Sequence, residues 1–181
     1  SLQEYSEQLS SGNVELNSLQ NQLDSVKKEK ESLETRLSQV SGADGNNKLL
    51  TAVIKAANLY ISNDSTGAAE AIADVDVSSL PVEEAKTLYN TISGATMMNA
   101  ANDLYNRGMT AYNKADYTTA ADLLVRAYKC DKTKADAVFY AAKSYVALNQ
   151  PDNAKKYYQI IADEFKSSGY VTEAQAYVQS H

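Results

Sequence analysis

The apolar pattern of residues 101–134 is repeated, at an offset of 34 positions, in residues 135–168. Each segment has a small residue, then an Ala twelve positions later, then two further apolar residues four and seven positions after that Ala. The matched pairs are Gly108 with Ala142, Ala120 with Ala154, Leu124 with Tyr158, and Ala127 with Ile161. Self-similarity at a fixed period indicates structural units that stack on one another.

The spacing has a direct physical meaning in a chain of antiparallel helices. The small residue and the later Ala lie where two helices cross, and a large side chain at either position would hold the helices apart. The chain also has only 2 Pro and 7 Gly in 181 residues, and both residue types destabilise helix interiors. The sequence therefore predicts an all-α fold built from helical hairpins.

The two segments resemble tetratricopeptide repeats, a family of helix–turn–helix units of about 34 residues. The positions that match the family's Gly, Ala and large-residue signature are Gly108, Ala120, Ala154, Leu124 and Tyr158. Two positions depart from it: Leu104 and Val138 replace the Trp of the first helix, and Lys132 and Lys166 replace the terminal Pro. The resemblance implies a right-handed superhelix of helical hairpins.

An additional, degenerate repeat is predicted for residues 48–81, where the same spacing recurs in Ala56, Ala68, Ile72 and Val75. Residues 82–100 predict an extra helix, which either ends at Ser93-Gly94 or continues into the helix that contains Gly108. A short capping helix is expected at residues 170–180, so that the repeat domain comprises residues 48–181.

The turns inside the two clear repeats carry helix-start signals. Asp116 and Asn153 are expected to cap the second helices, because short polar side chains accept hydrogen bonds from free backbone N–H groups. Pro151 fits the first turn, where its missing N–H is not needed.

A narrow apolar stripe runs through residues 1–41 and predicts a coiled-coil helix. The first seam set is Leu2, Leu9, Leu16, Leu23, Lys30 and Leu37, and the second is Tyr5, Gly12, Leu19, Val26, Leu33 and Val40. The helix either pairs with other copies of itself or folds back on its own domain, and the flanking charges leave the orientation of a pair open. Residues 42–47 contain Gly, Asp and Asn and predict a hinge.

Composition excludes most catalytic and metal-binding chemistry. His181 is the only histidine and the last residue, and Cys130 is the only cysteine. A Ser/His/Asp triad, a Cys/His dyad and a histidine or thiolate metal site are therefore excluded. No phosphate-binding or dinucleotide-binding glycine loop is present. We expect a protein that is not an enzyme and that needs no cofactor.

The charge pattern argues against nucleic-acid binding, and the short apolar stretches argue against a membrane span. The net charge is −6, and no Lys/Arg cluster is long enough to neutralise a phosphate backbone. No stretch approaches the roughly 20 consecutive apolar residues that a transmembrane helix needs.

In the tetratricopeptide family the first helices of the hairpins line a concave groove that receives peptides. The resemblance places that groove on the helices near residues 97–114 and 135–149. The residues expected to contact a peptide are Asn102, Tyr105, Asn106, Met109, Tyr112, Phe139, Tyr140 and Lys143. Alternatively, some of these aromatic side chains simply pack against neighbouring helices.

Two function classes remain. The first is a scaffold or adaptor in which the repeats bind a protein or peptide and the coiled coil makes a homo-oligomer. The second is a structural spacer or assembly rod of the bacterial cell envelope, without a groove ligand. A coiled-coil stalk before such a domain resembles anchored bacterial surface proteins, which favours an extracytoplasmic, membrane-anchored location. The chain opens with Ser1, so a longer protein with a signal or a membrane anchor upstream is expected. A cytoplasmic location is the alternative.

Overall fold

The computed structural model describes residues 2–39 and 45–181 of the chain, with side-chain environments for 2–38 and 47–181. These residues form eight α-helices and one short 3₁₀ helix, Val77–Ser79. The α-helices are α1 (Leu2–Gln39), α2 (Gly45–Ile61), α3 (Ser65–Ile72), α4 (Glu83–Asn113), α5 (Tyr117–Cys130), α6 (Ala135–Ala147), α7 (Pro151–Glu164) and α8 (Val171–Ser180). The all-α prediction is thus confirmed for the described part of the chain.

The helix that begins after Pro81 does not break at Ser93-Gly94. One helix, α4, runs from Glu83 to Asn113, so the alternative of a continuous helix through Gly108 is the correct one. Most of the predicted hinge, residues 42–47, lies outside the described residues, and Gly45 already belongs to α2.

The chain divides into two compact units, and the division falls inside α4. The first unit ends at Ala95, and the second runs from Thr96 to His181. In the first unit, α2 packs against both α1 and α3. Its fully buried side chains are Val26, Leu33, Val53, Ala56, Ala57, Ala68, Ala69, Ile72, Ala85, Leu88 and Ile92.

In the second unit each helix from α5 to α8 packs against the next one in the chain. Gly108 of α4 lies so close to α5 that a Cβ atom there would be 2.8 Å from Leu124 Cγ and 3.3 Å from Leu123 Cβ. Ala120, Leu124, Ala142, Ala154 and Ile161 are fully buried. The helix crossing that the small-residue spacing predicts is therefore present at Gly108. Cys130, at the end of α5, is buried and is not in a disulfide.

The same tight turn occurs three times in the part of the chain that the structure describes. Asn63, Ala115 and Asn149 have positive φ angles of 65°, 60° and 56°. Ala115 and Asn149 are 34 positions apart, and Asn63 precedes Ala115 by 34 plus the 18 extra residues of the insertion. In each turn the next residue donates its N–H to the carbonyl five positions back, at 2.8, 3.0 and 2.9 Å. Residues 48–81 therefore contain a turn of the same construction as the two clear repeats.

The helix starts after these turns differ in their caps. Asp64 and Asp116 accept hydrogen bonds from the N–H groups of Gly67 and Thr119, so the predicted cap at Asp116 is confirmed. Asn153 is not a cap, because α7 already begins at Pro151. Its side-chain amide instead donates to Gln150 Oε1 at 2.8 Å.

Candidate functional site

One face of α4 within the second unit carries five of the eight residues predicted to contact a peptide. Their spacing of three and four positions places them along one side of a helix. Asn102 and Asn106 are exposed, whereas Tyr105, Met109 and Tyr112 are half-buried. The stripe thus offers two amide groups and three large side chains with accessible surface.

Aromatic contacts join this stripe to α6. The ring centroids of Tyr112 and Tyr140 lie 5.1 Å apart in an edge-to-face arrangement, and those of Tyr140 and Phe139 lie 5.4 Å apart. Edge-to-face pairs of this kind are stabilising beyond the area that they bury. Tyr140 keeps part of its surface accessible. The structure therefore brings Tyr140 and the α4 stripe together.

Phe139 and Lys143, by contrast, contact the end of the same chain. The ring of Tyr170 stacks on Phe139 at 4.1 Å, and Phe139 is only 6% exposed. Lys143 lies 5.2 Å above the Phe139 ring and forms an ion pair with Glu173 at 3.5 Å. The segment around α8 therefore occupies the part of the predicted groove that these two residues would line.

Glu173 also accepts a hydrogen bond from the buried Tyr158 hydroxyl at 3.1 Å. Burial raises the pKa of Tyr158 strongly, and the charge of Glu173 raises it further. Lys143, Glu173 and Tyr158 thus form a polar network that links α6, α7 and α8. It holds the capping helix on the repeat pair and leaves Lys143 partly neutralised.

A second polar group lies at the start of α6. The Tyr170 hydroxyl is hydrogen-bonded to Asp136, and burial together with that bond raises the pKa of Tyr170 to about 12. Burial and the Asp136 charge also raise the pKa of Tyr105, while Lys134 Nζ lies 5.5 Å above the Tyr105 ring. Both phenols remain protonated near neutral pH and can donate hydrogen bonds.

The roles of Tyr170 and Glu173 could not be predicted from the sequence pattern. Both lie in or beside the capping helix, which is outside the 34-residue pattern. Only the aromatic character of the segment distinguished it.

The first unit has a different kind of surface, on α1. The apolar seam is uncovered over its first half, where the exposed fraction falls from 91% at Leu2 to 56% at Leu19. Nothing lies within 4 Å of the position that a Cβ would take at Gly12. In the second half of the same helix Val26 and Leu33 are fully buried. The fold-back alternative therefore describes the second half of α1 only.

A notch of about 1180 Å³ lies where the covered half of the seam gives way to the uncovered half. Leu19 and Leu23 of α1 form one wall. The other lining residues are further side chains of α1, most of them polar, Tyr60 and Ile61 at the end of α2, Asn63 and Ser65 beyond it, and α4 residues between Asn90 and Ala95. The notch thus adjoins the uncovered half of the α1 seam.

Within the described residues, no three His, Cys, Asp or Glu side chains lie together in a way that would hold a metal ion. The helices of the same residues are too short or too polar to cross a bilayer.

Comparisons of this chain with protein-family models, with curated proteins and with solved structures give no match.

Proposed function

We propose that this protein is a non-catalytic scaffold of the tetratricopeptide type, which binds an extended peptide along α4 and α6 and self-associates through α1 as a coiled coil. The observation that carries the peptide-binding part is the stripe on α4, which keeps accessible aromatic, methionine and amide surface beside a closed core. Support for the family comes from the close helix crossing at Gly108 and from the three equivalent turns.

The stripe suits a backbone-directed mode of binding. The side-chain amides of Asn102 and Asn106 can each donate to and accept from a peptide backbone. Tyr105, Met109 and Tyr112 supply adaptable and aromatic contact surface for apolar side chains of the peptide. Aromatic residues of this kind often contribute more than about 1 kcal/mol each to binding.

The electrostatics of the stripe favour an uncharged peptide. The nearest charges on the same helix, Asp103 and Arg107, pair with each other at 3.0 Å. Lys143, the cation predicted for the groove, is paired with Glu173. The second unit as a whole carries 9 acidic and 10 basic residues, so its electrostatic field has no strong sign.

A peptide-display library screened against the full chain tests this proposal. For the peptides selected, Tyr105→Ala/Met109→Ala should weaken binding at least about tenfold, the effect of losing roughly 1.4 kcal/mol. Tyr145→Ala is the matched control: Tyr145 lies on a different face of α6 and stacks on Tyr157 at 5.5 Å. Circular dichroism confirms that each variant folds. Selected peptides whose affinity is unchanged in the double variant would overturn the proposed site.

A structural spacer is the second candidate, and one observation favours it. Two of the eight predicted groove residues contact the end of the same chain: Phe139 stacks on Tyr170, just before α8, and Lys143 forms an ion pair with Glu173 of α8. If the library yields no peptide that binds, the spacer becomes the better description of the second unit.

A further inference from the structure

The chain covers only half of the seam on α1. Val26 and Leu33 are buried by its own helices, whereas the first half exposes five large apolar side chains: Leu2, Tyr5, Leu9, Leu16 and Leu19. A helix with an uncovered stripe of this length is not stable by itself in water, because most helical stability comes from packing of the apolar face. The same seven-residue repeat continues through both halves, so the uncovered half is suited to another helix of the same kind.

We propose that a second copy of this chain covers the exposed seam, with the two α1 helices antiparallel and paired over residues 2–19. The inference rests on the self-association that forms part of the proposed function, and it is independent of the peptide-binding face.

One antiparallel register covers every exposed seam residue. It places Leu2 against Leu19 of the second copy, Tyr5 against Leu16, and Leu9 against Gly12, and two-fold symmetry repeats each contact. Gly12, which has open space around it, receives the Leu9 side chain in this register. A shift by one heptad in one direction brings Leu2 onto the buried Val26, and a shift in the other leaves Leu16 and Leu19 uncovered.

The covered half of the seam decides the orientation. α1 is a single helix from Leu2 to Gln39, and α2 packs against it. In a parallel pair, residues 26–37 of the second helix would run about 8–10 Å from the first, in space that the first chain's own helices fill. In the antiparallel pair, the second helix has already passed beyond Leu2 before its own covered half begins.

The notch beside Leu19 receives the first turns of the second helix. Its volume of about 1180 Å³ is comparable to that of about ten residues of a helix 10 Å across. In the proposed register, Leu2 of the second copy lies over Leu19, at the wall of the notch. On the α2 side of the notch, Tyr60 and Ile61 would add apolar contacts from outside the seam.

The charges on either side of the seam permit this arrangement. Among the positions that flank the seam up to Gln22, only Glu15 is charged. Glu29 and Glu34, which would face each other in a parallel pair, lie outside the overlap, and Glu34 already pairs with Lys30 at 3.2 Å.

Sedimentation velocity of the full chain tests the association. We expect a dimer of the 19.7 kDa chain that dissociates on dilution, because an overlap of 18 residues is only about 27 Å long. Leu9→Asp and Leu16→Asp should each give a monomer, whereas Asn17→Asp, which adds the same charge on the outer side of α1, should remain dimeric. A wild-type monomer at several hundred micromolar, or a trimer, overturns the proposal, as do dimers that survive both seam variants.

Distances between spin labels test the orientation. In a Cys130→Ala background, labels at Ser10→Cys lie about 1.5 Å apart along the axis of the proposed dimer, and labels at Asp24→Cys about 40 Å apart. Equal, short distances at both positions would mean a parallel pair and would overturn the proposal. Tyr105→Ala/Met109→Ala should leave the mass and both distances unchanged, so failure of the peptide site is distinguishable from failure of the dimer.

Discussion

The two units of this chain use the same turn but finish their surfaces differently. The first unit has 14 acids and 7 bases and leaves half of a heptad seam uncovered. The second unit has nearly balanced charges, and tyrosine rings cover its repeat helices. A shared turn geometry therefore does not determine which surface a helical unit offers to its surroundings. That depends on whether a later segment of the chain, such as α8, covers the helices.

The largest expected effect contrasts the two halves of α1. Leu33→Ala should lower the free energy of unfolding by about 2–5 kcal/mol, because Leu33 is fully buried. Leu16→Ala, the same change on the exposed half, should alter the stability of the monomer by no more than about 0.5 kcal/mol. Urea unfolding at low micromolar concentration, where the proposed dimer dissociates, measures both. Equal losses would mean that both halves are packed.

The next effect contrasts two glycines on α4, one in each unit. Gly108→Ala should destabilise the protein by about 1–2 kcal/mol, since the added Cβ would overlap the buried Leu124 side chain. Gly94→Ala should instead stabilise it by up to about 1 kcal/mol, because a Cβ there meets nothing within 4 Å and Ala favours the helix. Thermal melts should show shifts of opposite sign. Shifts of the same sign would contradict the close crossing.

Alkaline pH should unfold the second unit before the first. Burial, followed by the hydrogen bond to Glu164, raises the pKa of Tyr128 to about 12, and the pKa of Tyr170 is likewise raised to about 12. A phenol whose pKa is higher in the folded state contributes stability that is complete below its unfolded value near 10. That contribution is lost as the pH rises from about 10 to 12. The pKa values of Tyr105, Tyr145 and Tyr158, all in the second unit, are raised as well. Among the described residues of the first unit, only Tyr89 has a raised tyrosine pKa.

Methyl NMR spectra recorded between pH 9 and 12 should therefore lose the folded signals of the second unit first. Tyr128→Phe removes one of these titrating phenols and should reduce the loss. Simultaneous unfolding of both units in wild type, with no change in the variant, would show that the tyrosines do not control alkaline stability.

The smallest expected effect concerns the shared turn. Ala115 has a φ of 60°, a conformation that is unfavourable for a residue with a Cβ. Ala115→Gly should stabilise the protein by about 0.5 kcal/mol, after allowance for the greater freedom of glycine in the unfolded chain. Asn63→Gly and Asn149→Gly are controls and should be near neutral, because Asn tolerates this conformation. Chemical denaturation measures all three, and a loss at Ala115 would contradict the strain argument.

The parts of the fold that local spacing determines could be predicted from the sequence. The offset of 34 residues identified the turn before Asp116 and the helix crossing at Gly108, because both depend on residues close together in the repeat. The two halves of α1 have the same heptad pattern, so nothing in that pattern distinguishes Leu16 from Leu33. Their different burial depends on where α2 ends, which is a tertiary property.

The candidate site was predictable to a similar degree. Helical periodicity placed Tyr105 and Met109 on one face, and the structure keeps them accessible. The cover over Phe139 depends on Tyr170, which lies outside the repeat pattern. The cap of α7 was expected at Asn153 because Asn is a favoured capping residue. The offset of 34 residues instead aligns Asp116 with Gln150, which is where the structure places the start of α7.

The burial of the single cysteine makes its thiol a probe of local opening in the second unit. Cys130 is only 6% exposed, so a thiol reagent reaches it chiefly when the end of α5 opens. When reclosing is faster than labelling, the ratio of the observed rate to that of a free thiol gives the equilibrium constant for this opening. The unaltered protein thus reports how often the second unit opens at the end of α5, without any introduced probe.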